Sequence, residues 1–381
     1  MHSPGVIHLD QASRLWKKRH FSLMVKPVGS FCNLNCSYCY YSPSSYTQGR
    51  MGDELLRESM YKVIDNNESD EISICWHGGE PLLAGLDFYE KALDFQREAL
   101  KVKGSFQKIS NSLQTNGTLI DRKWAAFFRE NHFLVGISLD GPRDIHNAFR
   151  LNIAGLPLFD KTMEGVDHLI GHNVEFNTLS TVNAFSKGRG AEVYGFLKDS
   201  GSRFMQFLPV VSPGKPWGID ALDYGRFMVD IFDQWWGNHD AGRYYVQLFD
   251  VSLANYMSME GVLCQFSPVC GDVPVVEMDG KVYACDHFVT PEHFLGFIAD
   301  EADSLVFNGK LPNFGIRKFS ALPKRCLNCE HLKLCYGGCP EHRIVNSADG
   351  RKLNYLCEGY TLFFAHIQSR LKEMSDHIRG L

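Results

Sequence analysis

Twelve cysteines constrain this 381-residue chain more than any other feature, because all but Cys75 fall into two tight patterns. Cys32, Cys36 and Cys39 form C-x3-C-x2-C in FCNLNCSYCYY, while Cys264, Cys270, Cys285, Cys326, Cys329, Cys335, Cys339 and Cys357 crowd the last third. A reducing compartment does not let so many thiols pair as disulfides, so metal or cluster ligation is the leading explanation. Such a compartment is expected. Arg14, Lys17, Lys18 and Arg19 near the start have no apolar stretch behind them, unlike a secretory signal, and no apolar run approaches a membrane span. A cytoplasmic location without membrane attachment is the expectation. The net charge of -5, with both signs mixed evenly, leaves no basic stripe to track a phosphate backbone, so nucleic acid is not an expected partner.

From Phe21 to about Trp236, short β-like runs alternate with amphipathic helical segments, the pattern of βα units on a parallel sheet. Six strands are predicted: Ser22 to Val25, Ile72 to Trp76, Ile109 to Leu113, Leu134 to Leu139, Val174 to Leu179 and Phe204 to Val210. After Leu253 the cysteines cluster, Gly and Pro recur, and helical periodicity fades until a closing stretch from Tyr360 to Ile378. The expected organisation is therefore an N-terminal extension (1–20), an α/β unit (21–250) and a loop-rich unit stapled by metal (251–381). The segment Ser212 to Gly218, with Pro213 and Pro216, reads as an irregular loop.

Three thiolates on one loop after the first strand can bind three irons of a four-iron cubane and leave the fourth open for chemistry. A zinc site short of one ligand is the plainer reading. Downstream, GGEP in WHGGEP follows the second predicted strand, where glycines permit close backbone approach; alone it would be a turn. The eight later cysteines suffice for two fully ligated four-iron clusters, or for a pair of structural zinc sites. Cys75, inside the second predicted strand, reads as a buried structural thiol.

Together these motifs resemble the radical S-adenosylmethionine superfamily with an auxiliary-cluster domain of the SPASM type. SLQTNGTLID, FLVGISLDGP and VYACDHFV narrow the resemblance to the anaerobic sulfatase-maturating enzymes along nearly the whole chain. The resemblance implies a partial (β/α)6 barrel, then a loop-rich C-terminal domain and a closing helix. It implies three 4Fe-4S clusters and S-adenosyl-L-methionine as cofactors. Cys32, Cys36 and Cys39 would hold the cluster that chelates S-adenosylmethionine; Cys264, Cys270, Cys285 and Cys339 the first auxiliary cluster; and Cys326, Cys329, Cys335 and Cys357 the second. Tyr38, Gly78, Gly79, Glu80, Ser138, Arg150 and Leu208 match positions contacting S-adenosylmethionine.

The implied reaction oxidises an active-site Cys or Ser of a sulfatase, in a Cys/Ser-x-Pro-x-Arg segment, to 3-oxoalanine (Cα-formylglycine). A 5′-deoxyadenosyl radical would abstract a hydrogen atom from Cβ. Asp286, directly after Cys285, matches the residue that takes the accompanying proton, and an auxiliary cluster would accept the electron. A flavodoxin or ferredoxin would supply the initiating electron. Tyr41 matches a tyrosine near the peptide, whereas His77 departs from the Gln often found before GGEP. Two alternatives remain open at this stage: a radical maturase that cross-links a ribosomal peptide, and a non-catalytic zinc-binding interaction module.

Overall fold

A computed structural model describes residues 22–41, 49–259, 263–300 and 310–380. The expected N-terminal extension, residues 1–20, lies outside the described residues.

Seven parallel strands form the body of one sheet: β1 (Leu23–Val25), β2 (Glu71–Trp76), β3 (Lys108–Thr115), β4 (Leu134–Ser138), β5 (Phe176–Val182), β6 (Phe204–Pro209) and β7 (Tyr245–Val246). The connecting helices are α1 (Asp53–Asp65), α2 (Leu86–Lys103), α3 (Arg122–Glu130), α4 (Arg143–Phe149), α5 (Phe159–Gly171), α6 (Gly190–Asp199) and α7 (Ala221–Gly237), followed by α8 (Gln247–Tyr256). Local signals set their ends. Asp121 caps α3 by accepting from the amides of Lys123 and Trp124, and Gly104 closes α2 in the left-handed conformation at φ 66°.

The sheet does not stop at β1. After α8 come β8 (Val275–Val276), β9 (Lys281–Tyr283) and β10 (Phe294–Phe297); β8 pairs with β1 in parallel, Met24 opposite Val275, and β9 and β10 add antiparallel. The strand order is thus β10-β9-β8-β1-β2-β3-β4-β5-β6-β7. The chain continues through α9 (Lys310–Ser320), α10 (Lys324–Leu327), α11 (Leu332–Cys335), a small hairpin and the closing helix, α12 (Cys357–Arg379). Sequence periodicity foresaw only the last of these, and placed its start three residues late.

Strand alternation divides the side chains. Ile72, Ile74 and Trp76 of β2, and Val135 and Ile137 of β4, are buried against the helices. Their neighbours face inward and are small or polar. Gln114 of β3 donates to the Ser138 hydroxyl of β4 at 3.1 Å, and a Cβ on Gly136 would meet Gln114 Oε1 at 2.1 Å and Asn177 Oδ1 at 3.1 Å. Closed (β/α) barrels fill their interior with bulky branched side chains; this one lines part of its interior with small and polar side chains and leaves it open. A cavity of about 1220 Å³ lies at the start of β4 to β7, lined by Asn177, Gln206, Phe204 and Tyr245 among others.

The closing helix is locked onto the barrel. At the crossing of α12 and α7, a Cβ on Gly359 would lie 1.9 Å from the Ala221 carbonyl oxygen and one on Gly225 would lie 2.6 Å from that of Gly359. Only glycine permits such an approach. No described helix is long and apolar enough to cross a membrane.

Candidate active site

The loop that leaves β1 carries Cys32, Cys36 and Cys39 with no regular element of its own. It is held by neighbours instead. Asn35 and Ser37 amides donate to Leu151 and Phe149 carbonyls at 2.8 and 3.2 Å, and Asn33 joins Thr118 and Asn116 through side-chain bonds of 2.9 and 2.8 Å. All twelve cysteines are free thiols. Burial pushes the Cys32 thiol up to about 12 and Cys36 to about 11, and the thiols' mutual proximity adds to the rise. Thiols so crowded suit a cation, which would deprotonate them outright.

GGEP packs against the cysteine loop. Gly78 adopts φ 117°, and a Cβ there would meet the Gly29 carbonyl oxygen at 2.6 Å; one on Gly79 would meet that of Phe31 at 2.1 Å. The amides of Gly79 and Glu80 donate to those same carbonyls at 2.8 and 2.9 Å. The close approach is thus backbone to backbone, zipping the cysteine loop onto β2. Glu80 is fully buried, accepting from the Leu82 and Asn116 amides and the Thr115 hydroxyl, which ties the loop onward to β3.

A second knot lies behind Cys36. Arg150 forks onto Asp140 with bonds of 3.0 and 3.0 Å, and Tyr38 donates its hydroxyl to the same carboxylate. Burial works against the Asp140 anion, yet the Arg150 charge outweighs it and holds the carboxyl below its usual range. Asp140 escaped the sequence reading. Its signal was an acid two residues past Ser138, at a strand end. Arg150, expected to face a ligand carboxylate, holds Asp140 through Nε and Nη2, and its charge reaches Cys36 and the Tyr38 ring, 5.5 Å away. Ser138 faces the interior, as does Leu208 on β6, 36% exposed.

Asp286 lies just past β9, and the β8–β1 pairing brings it to Lys26 at the end of β1. The fully buried Lys26 ammonium sits 2.6 Å from Asp286 Oδ1, 3.4 Å from Glu277 Oε1 and 3.4 Å above the Tyr41 ring. Tyr40 donates its hydroxyl to Asp286, and Tyr41 to Glu277. Burial opposes ionisation of Asp286, but His77, Lys26 and Tyr40 overcome it and hold the carboxyl far below the usual range. Burial in turn holds His77 down, and among the described residues its Nδ1 has no hydrogen-bond partner. Sequence reasoning found Asp286, Tyr41 and His77 but missed Lys26, Tyr40 and Glu277. The available clue was a lysine before Pro27 at a buried strand end.

The eight later cysteines sort into two sets by mutual electrostatic influence. After burial, Cys264, Cys339 and Cys270 raise the Cys285 thiol. Cys335 is pushed up to about 12 by burial and then by Cys326, Cys357 and Cys329, and these four thiols line one small cavity with His331 and Tyr360. Cys264, Cys270, Cys285 and Cys339 thus lie within electrostatic reach of one another, as do Cys326, Cys329, Cys335 and Cys357, and four soft thiolates around the latter cavity would suit a four-iron cluster. His287, next to Asp286, reaches the first set, with Nδ1 3.6 Å from Cys339 Sγ and 2.7 Å from Glu341 Oε2. Cys75 lies inside β2, beside Ser112 of β3, and burial pushes its thiol up to about 11.

Residues 27–184 match the Radical SAM superfamily. A serine-type anaerobic sulfatase-maturating enzyme of Bacteroides thetaiotaomicron is 37% identical over 383 residues, 93% of this chain and 91% of that protein. A cysteine-type anaerobic sulfatase-maturating enzyme of Clostridium perfringens is 36% identical, over 94% of this chain and 99% of its own. Among solved structures, native anSMEcpe with bound AdoMet and Cp18Cys peptide superposes with a TM-score of 0.86 at 35% identity, covering 93% of this chain and 99% of that one.

Proposed function

Given that this chain belongs to the anaerobic sulfatase-maturating enzymes, a radical S-adenosylmethionine family, we propose that it oxidises an active-site Cys or Ser of a sulfatase to Cα-formylglycine. The observation that carries the reading is the convergence of Asp286, Lys26, Tyr40 and His77 beside the three-cysteine loop, at the rim of an open polar barrel.

In this reading Cys32, Cys36 and Cys39 hold one 4Fe-4S cluster, Cys264, Cys270, Cys285 and Cys339 a second, and Cys326, Cys329, Cys335 and Cys357 a third. When bound, the first cluster and S-adenosylmethionine supply the hydrogen-abstracting radical chemistry. Tyr38 and Arg150 fix the wall behind that cluster through Asp140, and Gly78, Gly79 and Glu80 fix the loop that carries it. Ser138 and Leu208 bound the nucleoside side of the pocket from β4 and β6. Asp286 takes the proton that leaves the target residue as its Cβ is oxidised. Its ionisation is set by neighbours: the Lys26 ammonium keeps the carboxylate unprotonated and aimed, and Tyr40 donates to its second oxygen. Tyr41 and His77 border the space for a Cys/Ser-x-Pro-x-Arg segment, which the small interior side chains leave room to admit. The initiating electron comes from a flavodoxin or ferredoxin. The same reading puts the protein in the cytoplasm, where thiols stay reduced.

The test is an anaerobic assay of reconstituted protein with S-adenosylmethionine, a reductant and a Cys-x-Pro-x-Arg or Ser-x-Pro-x-Arg peptide, read by mass spectrometry. Peptide aldehyde together with 5′-deoxyadenosine establishes formylglycine formation. Deoxyadenosine without aldehyde on either peptide rejects the substrate assignment, and neither product from cluster-replete protein rejects the reaction.

A further inference from the structure

Cys335 and Cys339 are four residues apart but fall in different thiol sets, so the backbone of Tyr336, Gly337 and Gly338 bridges the two. Arg343, 8% exposed, engages that bridge with its whole guanidinium. Nε donates to the Gly337 carbonyl at 3.1 Å, Nη2 to those of Tyr336 and Gly338 at 3.0 and 3.4 Å, and Nη1 to that of Lys318 at 2.7 Å. Lys318, 2% exposed, donates in turn to the carbonyls of Cys264, Gln265 and Ser267, at the edge of the first set. Among the described residues no carboxylate forms an ion pair with either cation.

Two buried cations with only carbonyl partners are costly unless an anion lies close. Among the groups acting most on these cations, those able to become anions are cysteines. Cys326 and Cys335 of one set and Cys270 and Cys339 of the other act on Arg343, whereas Cys270, Cys264 and Cys339 act on Lys318. Once ligating, these thiols are thiolates, and two loaded sets would place their negative charge around the two cations. Adding an electron to such a site adds negative charge, which a fixed cation in a poorly screened interior stabilises.

We propose that Arg343, seated on the bridge between the two thiol sets, raises the reduction potential of both auxiliary clusters, and that Lys318 does the same for the first set alone. This rests on the reading of the eight thiols as two four-iron clusters. Arg343 and Lys318 are positioning residues: they touch neither substrate nor the three-cysteine loop, and they act by making both auxiliary sites readier to receive an electron.

The experiment compares wild-type protein with Arg343→Gln, Arg343→Lys and Lys318→Met, reconstituted anaerobically, counted for iron and acid-labile sulfide, and titrated with EPR detection. At the wild-type midpoint, Arg343→Gln lowers the reduced-to-oxidised ratio of both auxiliary clusters about tenfold, which is about 59 mV for a one-electron couple. The cluster on Cys32, Cys36 and Cys39 serves as the internal control and does not move. Arg343→Lys, which keeps the charge, stays within about twofold of wild type, and Lys318→Met shifts the first set alone. Unchanged ratios in fully loaded Arg343→Gln overturn the proposal, as does an Arg343→Lys shift as large as that of Gln. If Arg343→Gln sheds iron, Lys318→Met decides, and an unmoved first set overturns the electrostatic role. Wild-type protein with far fewer than about twelve irons per chain would sink the cluster reading itself, and this proposal with it.

Discussion

Replacing Lys26 with Met leaves Asp286 and Glu277 side by side without their shared cation. At an effective dielectric of about 20, the ammonium attracts Asp286 across 2.6 Å by about 6 kcal/mol and Glu277 across 3.4 Å by about 5 kcal/mol. These are gross values. Desolvation already offsets much of them, and one carboxyl can relieve the variant by taking a proton, so the net loss is expected at about 3–5 kcal/mol. The sign with pH follows from the direction of the Asp286 shift. In wild type its depressed pKa contributes stability above the unfolded value, lost as pH falls toward the folded one. In Lys26→Met the folded pKa rises, so stability falls as pH climbs through the new value. The deficit therefore widens from about pH 5 to pH 8. Anaerobic urea unfolding of the holoprotein, with a slope of about 3 kcal/mol/M, should show the midpoint lowered by about 1 to 1.7 M near pH 8 and by clearly less near pH 5. A loss below about 1 kcal/mol, or one equal at both pH values, refutes the argument that Lys26 balances two buried carboxylates.

Asp286→Asn should still cleave S-adenosylmethionine while formylglycine falls by about 10²-fold or more, and full aldehyde yield would end the base assignment. Gly359→Ala drives a methyl group into the Ala221 carbonyl, so calorimetry should show a destabilisation of about 1–3 kcal/mol or more; a wild-type melting point means α7 and α12 can separate freely. Burial and the neighbouring Arg150 charge push His146 down from 6.5 to about 4. Wild-type stability should therefore fall as pH drops through that window, by up to ~1.4 kcal/mol per pH unit, and His146→Phe should flatten the slope. Cys75→Ala should retain the full iron content, and loss of about four irons would show that Cys75 is a ligand.

The barrel was legible because its strands are apolar runs broken by amphipathic helices, and a period repeated six times averages out local noise. The later region was not, for identifiable reasons. Two-residue strands such as Val275–Val276 carry no period at all, and they exist because β1 offers an edge that only tertiary structure creates. Pro312 and Gly315 disguise α9, whose Leu311 and Phe319 nonetheless bury one face. Within the site, residues adjoining a cysteine motif, such as Tyr38, Tyr41 and Asp286, could be found by position. Lys26 and Asp140 left only a strand-end position as a clue and Glu277 left none, since a charged side chain shows that it is buried only when its partner, as many as 260 residues away, folds against it.

The parallel pairing of Met24 with Val275 also sets a timetable. These residues are separated by 251 positions, so at about 5–20 residues per second a ribosome finishes the partner of β1 about 13–50 s after β1 itself. Throughout that interval the nascent sheet carries a bare edge, the kind of surface that recruits other chains. Contacts so distant in sequence also slow folding. A fragment ending at residue 250 would be held in that vulnerable state permanently, lacking Glu277 and Asp286 as well as the strand that should cover β1. The order of the strands themselves thus leaves β1 uncovered for most of synthesis.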